Sequence, residues 1–346
     1  MRLPSNSVMA RSTYLPDNFT LSLLAVVTLA SVFPISGQVA HGFELLTTFA
    51  IGLLFFLHGA KLSREAILGG LTHWRLHLLV FGSTFVLFPL LGWLLRPVLT
   101  PLVTPALYTG VLYLCVLPAT VQSAIAFVSM ARGNIPAAIC SASASTLVGV
   151  FVTPLLVNWL VVPGGSAGGS FDAIGRILLQ LMLPFVVGHL MRPLIGHWIK
   201  RRASVLKFVD QGSILLVIFT AFSAAVIEGL WKQVPASALA GLVLVCAIIL
   251  ALMLGLTTLM ARKFGFNKED EITIVFCGSK KSLASGIPMA KVLVASHAVG
   301  AVVLPLMLFH QMQLMVCAVL ARRYAQRQSA EIPLAVLVPG AEPVVK

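Results

Sequence analysis

The constraint that governs this chain is the repetition of apolar runs about as long as a bilayer is thick. A membrane-spanning helix needs roughly 20 mostly apolar residues, and the sequence supplies ten such runs. Five begin near Phe19–Pro34, Phe43–Leu62, Leu76–Leu95, Leu107–Met130 and Ile135–Val162. After a Gly/Ser-rich stretch at Pro163–Ser170 come Ile174–Met191, Ser213–Gly229, Ala236–Met260, Ile272–Ala295 and Val299–Leu320. Only 10% of the 346 residues are charged, against about 25% in soluble domains. The chain reads as an all-α integral membrane protein, with the lipid bilayer as its solvent.

A net charge of +13 raises nucleic acid as a partner, but the basic residues sit singly between apolar runs instead of on one patch, so topology explains them better. With the N-terminus inside, 18 of the 24 lysines and arginines fall in inside segments and three (Arg96, Arg176, Lys232) in outside ones. The ninth run keeps Lys280, Lys281 and Lys291. That bias places both termini in the cytoplasm of a cell (inner) membrane. The first run has no small-residue cleavage site after it and reads as a retained span. Five cysteines lie inside apolar runs without CxxC spacing, which indicates neither a disulfide framework nor a zinc site.

Five spans on each side of the linker enter the membrane from opposite sides, so the two halves form inverted repeats. The expected organisation is a cytoplasmic tail over 1–16, a first repeat over 17–162, a linker over 163–172, a second repeat over 173–323 and a cytoplasmic tail over 324–346. Transporters built this way bind substrate where corresponding spans are interrupted. The fourth span of each half is the interrupted one. The first carries Pro118 in mid-span, followed by Thr120, Gln122 and Ser123. The second, Glu269–Val294, carries Gly278, Ser279, Lys280, Lys281, Ser282, Ser285, Gly286 and Pro288. A charge at the bilayer centre costs about 2.5–3.5 kcal/mol on insertion scales. The lysines are therefore expected on an unwound segment lining a polar cavity, where irregular backbone survives at depth. The plainer alternative is a shorter span with both lysines in a cytoplasmic loop.

Other polar groups admit structural readings. Ser141, Ser143, Ser145 and Thr146 alternate with alanine, which suits close helix packing, although Ser141 and Ser145 could also line the cavity beside Pro118. His310, Gln311 and Gln313 suit interhelical hydrogen bonds. Glu44 and Glu228 fit the outer boundary, and no acidic residue occupies mid-span, where proton and sodium carriers usually keep one. There is no HExxH or GxxxxGK[ST], so an enzyme is not expected. A Ser–Lys dyad from Ser279 or Ser282 with Lys280 or Lys281 is weakened because adjacent helical residues do not face each other.

Several motifs resemble the bile acid:sodium symporter superfamily, in particular its SBF-like subgroup of sodium-dependent transporters. They are TFVLFPLLGWLL at Thr84–Leu95, MARGN at Met130–Asn134, STL at Ser145–Leu147, TPLL at Thr153–Leu156 and GSKKSLASGIP at Gly278–Pro288. The likeness runs from about Leu15 to Arg323. It implies ten helices in a panel and a core domain, spans four and nine crossing at their breaks, and alternating access for an organic anion. It also implies sodium ligands after the span-four break, on span five, on a span-three glutamine and on a span-nine acid. Here those positions carry Ala138 and Ala142 on span five, Thr84 on span three, and Phe276 and Cys277 on span nine, with Lys280 and Lys281 where amides would stand. A hard cation wants oxygen ligands, which leaves Thr120, Gln122 and Ser123 for sodium or substrate.

The expected function is secondary transport of an organic anion or amphipath, coupled to sodium or protons. Either a lysine ammonium replaces the coupling cation and trades its proton, or both lysines bind the substrate's anionic head. The alternatives are a sodium-independent exporter resembling arsenite or auxin carriers, for which Cys115 near Pro118 gives a thin reason, and a membrane regulator that transports nothing. No cofactor is expected beyond sodium as a coupling ion.

Overall fold

The computed structural model describes residues 18–61, 73–161, 171–294 and 298–330, and all regular structure among them is helical. In chain order, apart from short turns at Arg96–Leu99, Thr100–Leu102 and Leu230–Gln233, the helices are α1 (Asn18–Val32), α2 (Gly37–Lys61), α3 (Trp74–Leu94), α4 (Pro105–Val116), α5 (Gln122–Met130) and α6 (Ile135–Val161). There follow α7 (Phe171–Arg201), α8 (Ala203–Ile227), α9 (Ala236–Lys263), α10 (Lys268–Gly278), α11 (Leu283–Leu293) and α12 (Val299–Ala330). Helices α2, α3, α6, α8, α9 and α12 are long and apolar enough to cross a membrane.

Local sequence sets many of the ends. Thr104, Asn134, Asn267 and Ser282 cap α4, α6, α10 and α11, each side-chain oxygen accepting a backbone N–H of the first turn. Pro105 and Pro136 stand at helix starts, where their missing N–H costs nothing. Leu117 is extended (φ −75°, ψ 156°), as the residue before Pro118 must be to avoid the proline ring, and α4 stops there.

Hydropathy located the helices better than it located their ends. The run expected to close at Met191 continues as helix to Arg201, and the one expected to open at Ser213 opens at Ala203. Basic side chains at a helix end can reach the interface without breaking the helix, so the apolar boundary marks lipid, not the last hydrogen bond. Likewise the tail expected from residue 324 is helical as far as Ala330, and α7 already begins at Phe171 inside the expected linker. Residues 1–17, 162–170 and 331–346 of the expected tails and linker lie outside the described residues.

Helices α1, α2, α7 and α8 pack on one another, and α3–α6 with α9–α12 form the other group. The two groups meet where α8 lies on α11 and α12 and where α7 lies on α6. Between lipid-solvated helices the hydrophobic effect gives little attraction, so close backbone approach has to supply it. Gly59 and Gly188 supply it for α2 and α7. A Cβ on Gly59 would lie 1.9 Å from the Phe185 carbonyl oxygen, and one on Gly188 would lie 2.0 Å from that of Phe56. The outward faces instead carry exposed Trp74, Leu78, Trp159, Leu194 and Phe208. Such a surface suits hydrocarbon.

Candidate functional site

The chain leaves its helical path twice at the centre of the larger group, between α4 and α5 and between α10 and α11. The two irregular segments touch: the Ser282 N–H donates to the Pro118 carbonyl at 2.9 Å. A helix that ends inside a protein leaves its last carbonyls without partners, and at the end of α4 several find one. Val116 O accepts from Thr153 Oγ1 at 2.9 Å. Cys115 O and Leu117 O both accept from Lys281 Nζ, at 2.8 and 2.7 Å. The Ala119 N–H is received by Ser145 Oγ at 3.0 Å.

The third acceptor of Lys281 comes from α3. Residues Ser83–Leu87 form a π-helical turn, in which the Phe88 N–H reaches back to Ser83 O. In a regular α-helix that N–H would bond Thr84 O. The next residue, Pro89, has no N–H to offer. Thr84 O is thus left open, and Lys281 Nζ donates to it at 2.8 Å. The TFVLFP sequence creates an acceptor at a depth where an α-helix normally offers none.

Lys281 therefore donates all three ammonium protons to carbonyls of α3 and α4, with its Nζ 4.1 Å from the centre of the Phe88 ring. Gln313 on α12 holds its backbone from the other side: Oε1 accepts the Lys281 N–H and Nε2 donates to the Lys281 carbonyl, both at 3.0 Å. Lys280 turns the opposite way. Its Nζ donates to Ser123 O at 3.0 Å and lies 3.8 Å from the Phe127 ring centre and 5.8 Å from that of Phe276. Both lysines are completely buried.

This burial corrects two expectations. The lysines do not stand in a cytoplasmic loop, and the segment Gly278–Ser282 does not line an open polar cavity. The side chains are enclosed because fixed carbonyl dipoles and ring faces replace water around each ammonium. Gly278 closes α10 against Ser83, where a Cβ would lie 3.2 Å from that of Ser83. Ser279 Oγ donates to Val275 O at 2.6 Å and Ser282 Oγ caps α11, so neither hydroxyl meets a lysine Nζ. Thr120 Oγ1 accepts from Ser123 Oγ at 3.3 Å. Ser141 Oγ lies on α6 away from the breaks, 2.6 Å from His77 Nδ1. Gln122 is exposed and lines a cavity of about 710 Å³ between α5 and the end of α2, α7 and the start of α8. Ala138, Ala142, Phe276 and Cys277 are buried and put no side-chain oxygen at the positions where the resemblance implied sodium ligands.

Three contributors escaped the sequence reading. Pro89 gave no signal until the π turn was seen. The ring of Phe88 stood only within the TFVLFPLLGWLL motif, with no role attached to it. Gln313 was visible as a polar residue at depth, but its target was not.

The sequence matches the SBF-like CPA transporter family over residues 17–326. It is 66% identical over 320 residues to an uncharacterized protein of Pseudomonas aeruginosa, covering 92% of this chain and 96% of that one. It is 59% identical over 316 residues to YfeH of Escherichia coli (strain K12), which is named as a symporter, covering 91% and 95% of the two chains. Sodium/bile acid cotransporter 7 of Danio rerio is 29% identical over 309 residues, with 87% and 91% covered. These likenesses and the apolar helices make the protein a multi-pass membrane transporter and not an enzyme. More narrowly, the chain belongs to the SBF-like CPA transporter family, within the bile acid:sodium symporter superfamily.

Proposed function

We propose that the protein is a secondary active transporter of an organic anion in which the Lys281 ammonium takes the place of a coupling cation. The carrying observation is the cage itself: three backbone carbonyls at 2.7–2.8 Å around one nitrogen, drawn from α3 and the end of α4. Such an all-oxygen shell would suit a hard monovalent ion, and here the protein fills it with its own charge. Sodium has no vacancy at that point, and a second positive charge beside Lys280 and Lys281 would be repelled. Loss of the proton would leave Lys281 with two donors for three buried carbonyls. An unmade hydrogen bond at a buried group costs about 1–3 kcal/mol, so proton exchange would loosen the contact between the two breaks. That supplies a physical link between a proton and a conformational change.

On this reading α4 with α5, and α10 with α11, are two interrupted spans that cross at their breaks. They belong to ten spans in inverted repeats, with both termini cytoplasmic in a bacterial-type inner membrane. The group α1, α2, α7 and α8 corresponds to the panel, and the group holding the breaks to the moving core. A second reading keeps Lys280 for the substrate, because its acceptor Ser123 adjoins Gln122 at the cavity.

The test is thermal stability of the purified protein in detergent, titrated with sodium against potassium at several pH values. A ligand bound only by the folded state adds about 2.7 kcal/mol at a hundredfold excess over Kd. The expected result is no sodium-specific shift and a pH response that Lys281→Gln abolishes. A saturable shift with sodium alone would overturn the replacement of the cation.

A further inference from the structure

The cavity at Gln122 differs in chemistry from the apolar outer faces. Its wall is made by Lys61 at the end of α2, Arg192 and Lys200 on the last turns of α7, and Lys207 and Asp210 on the first turns of α8. Among the described residues, four cationic side chains thus converge on one concavity with a single carboxylate. Basic residues at a cytoplasmic membrane edge are ordinary, and Arg201 and Arg202 of the same run lie outside the lining. The cavity differs from that ordinary edge in bringing cations from three helices to one volume of about 710 Å³, opposite α5 of the other helix group. A cleft lined by one sign of charge concentrates counter-ions of the other sign.

The carboxylate refines the choice. Asp210 Oδ2 is ion-paired with Lys61, while Asp210 Oδ1 is buried with no hydrogen-bond partner. A buried acceptor left open favours an occupant that brings a donor. We infer that this cavity binds a compact phosphate ester bearing free hydroxyl groups. The phosphate would lie among Arg192, Lys200 and Lys207, and a hydroxyl would donate to Asp210 Oδ1 once that carboxylate turns from its buried position toward the cavity. The role as substrate site rests on the transport reading above, whereas binding does not. Gln122 adjoins Ser123, whose carbonyl holds Lys280, so an anion seated there lies at the edge of the break. This names a substrate class quite unlike a steroid amphipath. The same chemistry could arrive as a soluble ester or as the headgroup of phosphatidylglycerol.

The experiment follows thermal stability of the full chain at constant ionic strength. One arm titrates sn-glycerol 3-phosphate in neutral detergent, with inorganic phosphate and glycerol as component controls. The other compares phosphatidylcholine nanodiscs with and without phosphatidylglycerol. Saturable stabilisation by sn-glycerol 3-phosphate is expected, weakened at least tenfold in Kd by Lys200→Gln with Lys207→Gln. Asp210→Asn should keep inorganic phosphate binding and lose the preference for the hydroxylated ester. A shift with phosphatidylglycerol alone, lost in the same double variant, would assign the site to the lipid headgroup. No shift in either arm, or equal shifts in the double variant, would overturn the proposal. Lys281-dependent uptake of another anion, such as taurocholate, into membrane vesicles would then leave the transport reading intact. Binding without any Lys281-dependent uptake would do the reverse.

Discussion

The ammonium of Lys281 and the carbonyl of Leu117 meet at 2.7 Å, although 164 residues separate them in sequence. One lies on the segment between α10 and α11 and the other on the segment between α4 and α5, so a single side chain ties the two irregular segments together. Much of the behaviour expected of this protein follows from that tie.

Lys281→Met should strand three buried carbonyls. Removing the ammonium also removes its desolvation cost, so the expected net loss is about 2–4 kcal/mol at about 1–3 kcal/mol per stranded group. A fall in the detergent unfolding midpoint measures it. Lys281→Arg should not restore stability, because a planar guanidinium fork cannot aim at three carbonyls grouped around one nitrogen.

Gln313→Leu should release the Lys281 backbone, which loses an acceptor and a donor at once. With about 1–3 kcal/mol for each unmet buried group, the midpoint should drop again. Amide exchange should rise at residues 279–282 more than elsewhere. Uniform exchange across α12 and the break would contradict a local clamp.

Gly59→Ala should force α2 away from α7, because its methyl group would overlap the Phe185 carbonyl. Overpacking of this kind costs about 1–3 kcal/mol or more. Gly52→Ala, on the same helix with nothing within 4 Å of the new Cβ, is the control and should be neutral or mildly stabilising. Equal effects from the two substitutions would mean that close approach at Gly59 matters little.

Acid should weaken the base of α10. Burial alone would push the Glu271 carboxyl up, but hydrogen bonds from Arg262, Lys268 and Tyr324 outweigh it and hold the group below its ordinary value. A carboxyl depressed on folding stabilises above its unfolded value of about 4.3, and that contribution is lost as pH falls through the lower folded value. Unfolding midpoints of the wild type should therefore decline between neutral pH and the region below pH 4. Glu271→Gln should flatten that decline, and an unchanged slope would remove Glu271 as its source.

How much was legible in advance depended on how local each cause was. Pro118 announced the end of α4, because the clash between a proline ring and the residue before it involves neighbours only. Asn134, Asn267 and Ser282 cap helices by reaching three residues along the chain, a local cause that hydropathy alone does not register. Lys280 and Lys281 could be recognised as costly at depth, yet their surroundings could not be recognised. The sequence reading placed them on a polar cavity because water is the usual solvent of a charge. The structure instead surrounds them with carbonyls freed by Pro89 and Pro118 and with the rings of Phe88 and Phe127.

What the sequence determined by itself is the apolar helical character, the break at Pro118, and the presence of charge beside the second break. Those follow from transfer free energies and from sterics between near neighbours. What only the tertiary structure decided is which orphaned carbonyls the ammonium of Lys281 satisfies, which backbone Gln313 grips, and which cations share the cavity with Asp210. Each of these joins groups from different helices, and pairing at such range is set by the packing of the whole bundle.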